Sequence, residues 1–311
     1  MKKTFHSNGK LLLTGEYVVL DGAEALAIPT KYGQSLEVNT YLSAGTNSEK
    51  KQIHWKSLDE EDVVWFEDTF CQENLKSLNT ENTISKTLSK IIREAKKLNP
   101  DFLSKEKGIS VITKLDFPRN WGLGTSSTLI NNIAQWAAVD PFKLLIKSFG
   151  GSGYDIAAAQ NDSPILYELK DEKSTFKEVA LPWDFTDHLF FVHLNQKQDS
   201  KEGISRYRNA SVEAKSIQRI SDISNNLLTC NSLSEFEKLM NLHESIISET
   251  ISLPTIKEQL FSVYPRTIKS LGAWGGDFIL ATGNERDQEY FRKKGFGTII
   301  SFEEMIKTHK K

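Results

Sequence analysis

The chain has 311 residues, of which 39% are hydrophobic and 26% charged, with a formal net charge of -2. This describes an ordinary globular protein with one large or two smaller cores and no overall basic balance for nucleic acid or an anionic membrane. The two cysteines, Cys71 and Cys230, give neither a CxxC pair nor a disulfide framework. The N-terminal MKKTFHSNGK lacks a signal-peptide apolar core and no apolar run reaches membrane-spanning length, so a cytoplasmic location is expected.

In chain order, KLLLTGEYVVL and ALAIPTKYGQSLEV read as strands separated by a turn at Asp21-Gly22, and DVVWFEDTF as a third. Ile84, Leu88, Ile91, Ile92 and Ala95 recur at helical spacing until Asn99-Pro100. GISVITKLDF alternates as a strand does and leads into PRNWGLGTSST, after which a helix is expected over 127–138. Glycines and small hydroxyls between a strand and a helix suit an anion, because the backbone approaches closely and first-turn N–H groups point outward. The other reading is a plain N-cap.

PFKLLIKSF reads as a short helix, GGSGYDIAAAQ as a second glycine-rich turn entering a helix, and SPILYEL as a strand. The polar DEKSTFKEVALPWDFTD follows, and the domain boundary is expected near it, giving domains 1–170 and 185–311. DHLFFVHL is a strand, and helical patterns run over 202–228, 233–250 and 256–264. SLGAWGGDFILATG is a third glycine-rich turn, ahead of a helix in ERDQEYFRKKG and a last strand, GTIISF. Strands and helices mix without strict βαβ alternation, so the expected class is α+β. The six histidines form no close ligand pair, which gives zinc little support. Most read as surface or packing residues.

GKLLLTGEYVVLDG, GLGTSS, GSGYDIA and KSLGAWGGDF, in that order, resemble the motifs of the GHMP kinases, the superfamily of galactokinase, homoserine kinase, mevalonate kinase and phosphomevalonate kinase. The resemblance runs from about residue 9 to about residue 282, and the GYDIA phrase resembles a small sub-family. It implies a two-domain fold, with an N-terminal mixed α/β domain and a C-terminal ferredoxin-like α+β domain. It also implies transfer of the γ-phosphoryl of ATP, with Mg2+, to a small acceptor.

Carried over residue by residue, the resemblance makes Gly122, Leu123, Gly124, Thr125, Ser126 and Ser127 the ATP phosphate loop, with Ser126 contacting magnesium. Asp155 falls at the catalytic aspartate, accepting the acceptor's proton or orienting its oxygen. Lys10 falls at a lysine that reaches the active site, where an ammonium would keep Asp155 ionised. Glu16, beside Tyr17, either binds substrate or braces the loop. Gly272, Ala273, Gly275 and Gly276 match the third motif, flanked by Lys269 and Asp277. Lys197, Ser200 and Lys201 fall in a region that touches an acidic substrate in the phosphomevalonate branch. Their other reading is a solvated loop.

The pattern departs from the family in places. Asn8-Gly9 replaces the usual proline before the lysine, Trp274 interrupts GAGGG, and no carboxylate lies between Pro141 and Tyr154 where mevalonate kinases carry a magnesium-binding glutamate. GEYVVLDG and KSLGAWGGDF resemble the mevalonate and phosphomevalonate branch. Lys10, Lys197, Lys201, Arg206 and Lys269 supply cations for an acidic small-molecule substrate. The expected acceptor is phosphomevalonate ahead of mevalonate, in isoprenoid precursor synthesis, with no nucleic-acid or membrane partner and with monomer and homodimer both open. The alternatives are another acceptor, homoserine or a sugar, and a non-catalytic nucleotide-binding protein on the same fold.

Overall fold

A computed structural model describes residues 1–41, 51–79, 82–104, 108–171, 173–196, 200–210, 212–272, 274 and 276–307. The elements are β1 (Lys2–Leu12), a 3-10 turn (Val18–Asp21), β2 (Ala25–Tyr41), β3 (Gln52–Leu58), β4 (Val64–Cys71), α1 (Thr83–Leu98), β5 (Gly108–Leu115), α2 (Thr125–Ala137), α3 (Pro141–Ser148), α4 (Tyr154–Gln160), β6 (Ile165–Lys170) and β7 (Lys173–Glu178). After a second 3-10 turn (Thr186–His188) come β8 (Leu189–His193), α5 (Ser200–Asn209), α6 (Ala214–Leu227), α7 (Leu233–Ile251), α8 (Ile256–Leu260), β9 (Ile268–Ser270), β10 (Phe278–Thr282), α9 (Glu285–Lys293), β11 (Ile299–Ser301) and α10 (Phe302–Met305). The class is mixed α and β with two sheets.

The chain forms two compact units from interleaved segments. One comprises Met1–Gly9, Tyr32–Arg119 and Gly124–Gln160, and the other Lys10–Lys31, Asn120–Leu123 and Asn161–Lys311.

In the first unit the strands run β4-β3-β5-β2, with β3 parallel to β5 and the other neighbours antiparallel. Alternation in β5 points Ile109, Val111, Thr113 and Leu115 inward. Ile109 and Val111 meet the apolar stripe of α1, whose Leu88, Ile91, Ile92 and Ala95 are buried, in one core with Trp55, Phe70 and Ile133. Asn82 fixes where α1 starts: its side chain accepts from the N–H groups of Ile84 and Ser85, both at 2.9 Å, a cap that contributes about 1 kcal/mol.

In the second unit β6 pairs with the first residues of β2 and with β7, and a four-stranded antiparallel sheet runs β11-β8-β10-β9. β8 and β10 are buried along their whole length. Phe190, Phe261, Tyr264 and Phe291 pack with them.

Two sequence expectations change. GEYVVL is not a strand: β1 stops at Leu12 and Val18–Asp21 form a 3-10 turn. Tyr17 explains this, with φ 66° and ψ -53° and a hydrogen bond from the Val18 N–H to the Glu16 carbonyl at 2.8 Å, a γ-turn of the rare, strained hand. The single helix expected over 202–228 is two, with α5 ending at Asn209 and α6 starting at Ala214.

Candidate active site

The glycine-rich stretch 118–128 changes unit between Leu123 and Gly124. On the second-unit side Gly122 has φ 68°, and a Cβ there would collide with the Asp277 carboxylate. The same carboxylate lies 3.6 Å from where a Cβ on Gly272 would be. The first and third glycine motifs therefore meet around one acid. Asp277 is itself left-handed (φ 58°), and its backbone is clamped by Asp277 N–H to Gln196 O and Leu194 N–H to Asp277 O, each 2.8 Å. The Lys10 N–H reaches the Leu123 carbonyl at 3.0 Å, so the end of β1 ties down the same loop.

His193 adds a contact that sequence reasoning left among the packing residues. It is buried, its Nδ1 accepts the Asn195 N–H at 3.3 Å, and its Nε2 lies 3.2 Å from the Asn120 carbonyl. An accepting Nδ1 puts the proton on Nε2, which then donates to Asn120. The Trp121 ring stands edge-on to Phe278, centroids 5.4 Å apart.

Glu16 and Lys269 come together as a buried ion pair. The Lys269 ammonium also donates to the Ser270 carbonyl and forms an ion pair with Glu244 Oε1 at 3.2 Å. Glu244 Oε2 accepts from the Ser270 hydroxyl at 2.6 Å. His243 Nε2 is 3.2 Å from Glu16 Oε2 and accepts the Gly15 N–H at 3.0 Å. Burial raises the Glu16 carboxyl to about 7, with Lys269 pulling it down and Glu244 pushing it up. Burial raises Glu244 as well, and burial with the Lys269 charge holds His243 well below the usual imidazole range. Sequence reasoning missed His243 and Glu244, which sit in α7 where the 3.6-residue pattern reads as ordinary core. Trp274, buried at φ 51°, has the Lys269 ammonium 5.8 Å from its ring centroid.

On the first-unit side Gly124 (φ 94°) is the N-cap of α2, and no side chain caps that turn. The helix begins at Thr125, two residues before its expected start, so Ser126 lies inside the first turn and is not the cap. Ser126 is exposed, while Ser127 and Thr128 are buried. The Thr128 hydroxyl is committed to structure, donating to Gln34 Oε1 at 2.7 Å. Asp155 lies in the first turn of α4, partly buried, after Gly151 (φ 105°) and Gly153 (φ 90°). α4 starts at Tyr154, so Asp155 too is within the helix and not its cap.

A polar network, buried except at Gln160, joins these two helices. Gln160, closing α4, donates to Asn131 Oδ1 of α2 at 2.8 Å. Asn131 donates to the Ser7 hydroxyl at 2.9 Å, Ser7 to Asn132 Oδ1 at 2.8 Å, and Asn132 to the Gln34 carbonyl at 2.8 Å. Fully satisfied networks of this kind fix geometry.

Of the remaining candidates, Lys197, Ala273 and Gly275 lie outside the described residues, Ser200 opens α5, and Gly276 directly precedes Asp277. Arg206 pairs with Glu202 at 3.5 Å on the surface of α5.

The sequence matches no protein-family model and no curated relative. Solved structures do match. The Methanococcus jannaschii mevalonate kinase aligns with 96% of this chain and 97% of its own at 14% identity and a TM-score of 0.68. The Streptococcus pneumoniae phosphomevalonate kinase, in complex with phosphomevalonate and AMPPNP, aligns over 96% and 98% at 16% identity and 0.67. The Lactococcus lactis galactokinase, complexed with galactose, aligns over 99% and 94% at 12% identity and 0.69. The chain has the GHMP kinase fold. No helix among the described residues is long and apolar enough to cross a membrane.

Proposed function

We propose that this chain is an ATP-dependent small-molecule kinase that transfers the γ-phosphoryl group to a mevalonate-pathway acceptor, phosphomevalonate or mevalonate. The observation that carries the reading is the start of α2. A left-handed Gly124, which has no side chain to cap the first N–H groups, opens the helix, and the exposed Ser126 hydroxyl stands in the same turn. This is an anion site of the kind a triphosphate uses.

In this reading the backbone of Gly122–Ser127 binds the ATP phosphates, and Lys10 neutralises charge near the reacting oxygens. Asp155 takes the proton of the acceptor oxygen or orients it. Glu16 acts on the brace side of its two readings, because it is buried and committed to Lys269.

The Ser126 oxygen is a hard donor that suits Mg2+, an ion that keeps several waters and substrate oxygens in its shell. Among the described residues no group of three or more His, Cys, Asp or Glu side chains is set to hold a metal, so the fit rests on Ser126. When bound, the ion would neutralise charge on the transferred phosphoryl group.

The test is Mg-ATP with mevalonate, phosphomevalonate, homoserine, galactose and fucose, read as ADP release and product mass. Turnover with either of the first two is expected, falling about 10²–10⁴-fold in Asp155→Asn with ATP binding retained. Turnover with a sugar or homoserine would keep the kinase and move the acceptor. ATP binding without turnover of any acceptor would favour a nucleotide-binding role.

A further inference from the structure

Lys269, Glu16, Glu244 and His243 form a cluster that is 5% exposed or less at every side chain. It stands where the strained Glu16–Val18 turn, β9 and α7 meet. Its charge does not balance if both acids are ionised: the lysine supplies one positive charge and the carboxylates two negative ones. An uncompensated buried charge is costly, and one added proton removes it.

Geometry shows where that proton sits. The Lys269 ammonium meets three oxygens, which keeps it charged. Glu244 Oε2 is occupied as the acceptor of the Ser270 hydroxyl, and its Oε1 faces the Lys269 ammonium at 3.2 Å, where an added proton would point at a cation. His243 Nε2 accepts the Gly15 N–H, so the ring proton belongs on Nδ1, which is buried without a hydrogen-bond partner among the described residues. Glu16 Oε2 lies 3.2 Å from the same Nε2, whose single lone pair would be shared, as a three-centre acceptor, between the Gly15 N–H and a proton on Glu16. Two lone pairs repel at that distance, and a proton on Glu16 turns the contact into an O–H···N attraction.

We propose that His243 is a positioning residue which shares one proton with Glu16 and thereby locks the Gly15–Tyr17 turn and, through Lys269, the start of the third glycine motif onto α7. The proton lies on Glu16 Oε2 and points to His243 Nε2. Its removal leaves a buried negative charge facing a lone pair, which loosens the turn. The groups that face Glu16 are Lys269 of β9, His243 and Glu244 of α7, and the neighbouring Tyr17. The consequence for turnover rests on the kinase reading, whereas the proton and the lock do not.

The full chain, labelled with 15N-histidine, is followed by long-range 1H–15N NMR from pH 5 to 9, in wild type, Glu16→Gln and His243→Gln. The resonance absent from His243→Gln is His243. Its ring is expected to stay neutral with the proton on Nδ1 and to move in one step near pH 7, a step absent from Glu16→Gln. A ring that becomes an imidazolium in this range, or one that does not move at all, would overturn the shared proton.

Hydrogen exchange reads the lock. In His243→Leu, residues 15–20 and 267–272 should exchange at least ~10-fold faster, with His243→Gln near wild type, since its amide oxygen has two lone pairs to accept from both Gly15 and Glu16. Faster exchange confined to α7, or none in either segment, would overturn the positioning role. If His243→Leu does not fold, the comparison of wild type with Glu16→Gln across pH 7 carries the same readout. These measurements need no acceptor, so silence in the kinase assay leaves them intact. If turnover is found, loss of kcat with KM for ATP unchanged in His243→Leu extends the role to catalysis.

Discussion

The Asp277 carboxylate lies against the α-carbon of Gly122, filling the space that a side chain at residue 122 would need. An acid from the third glycine motif thus sets the shape of the first. Gly122→Ala is expected to cost about 1–2 kcal/mol from the left-handed backbone alone, and more from the collision. Urea unfolding should show a lower midpoint at unchanged slope, and ATP titration should show weaker binding.

Ser126 differs from its neighbours in having no structural duty that the helix requires. The cap is Gly124 and the buried hydroxyl bond belongs to Thr128. Ser126→Ala should therefore change stability by no more than about 0.5 kcal/mol while lowering magnesium-dependent turnover at least ~10-fold. Thr128→Val should do the reverse, lowering stability first. Thermal melts run beside ADP-release assays separate the two.

Asn131 carries the link between α2 and α4. Replacing it with Leu removes a donor to the buried Ser7 hydroxyl, at a cost of about 1–3 kcal/mol for a buried polar group left unmatched, while the exposed Gln160 amide turns to water. Gln160→Leu leaves the Asn131 carbonyl unmatched and should give a smaller loss. A double-mutant cycle in urea should return a coupling of about 0.5 kcal/mol or more.

Glu16 makes stability depend on pH with a definite sign. Its carboxyl is raised from 4.5 to about 7, so between those values the folded chain holds a proton that the unfolded chain lacks. The stability this contributes is complete below pH 4.5 and is lost as pH rises through 7. Glu244, also raised, acts in the same direction. His243, held low, opposes them, because below 6.5 the unfolded chain takes up an imidazole proton that the folded chain does not. Glu16→Gln has no carboxyl to titrate. The melting temperature of the variant minus that of wild type should therefore rise from pH 5 to pH 8, and a flat difference would show that Glu16 titrates normally.

Much of the fold is legible in the sequence where one face is apolar and the other wet. The 3.6-residue pattern marks α1 and α7, and alternation marks β5. GEYVVL was not legible: Val18 and Val19 have strand propensity, yet the γ-turn at Tyr17 and their burial override it. The polar DEKSTF stretch hides β7, an edge strand that only β6 specifies. The site shows the same division. Glycines that need positive φ, such as Gly122, Gly124 and Gly153, stand out as letters. His243 and Glu244 do not, because a buried charge on a helix is spelled like a surface one until its partners are known.

The interleaving of the two units has a consequence for synthesis on the ribosome. Ala25–Ala27 of β2 emerge early, but their partners in β6, Ile165–Tyr167, follow well over a hundred residues later. At about 5–20 residues per second, that buried strand segment waits several seconds or more with its edge unsatisfied. The nascent chain is most exposed to chaperones and to aggregation in that interval, and slow codons placed between β2 and β6 should lengthen it and lower the soluble yield.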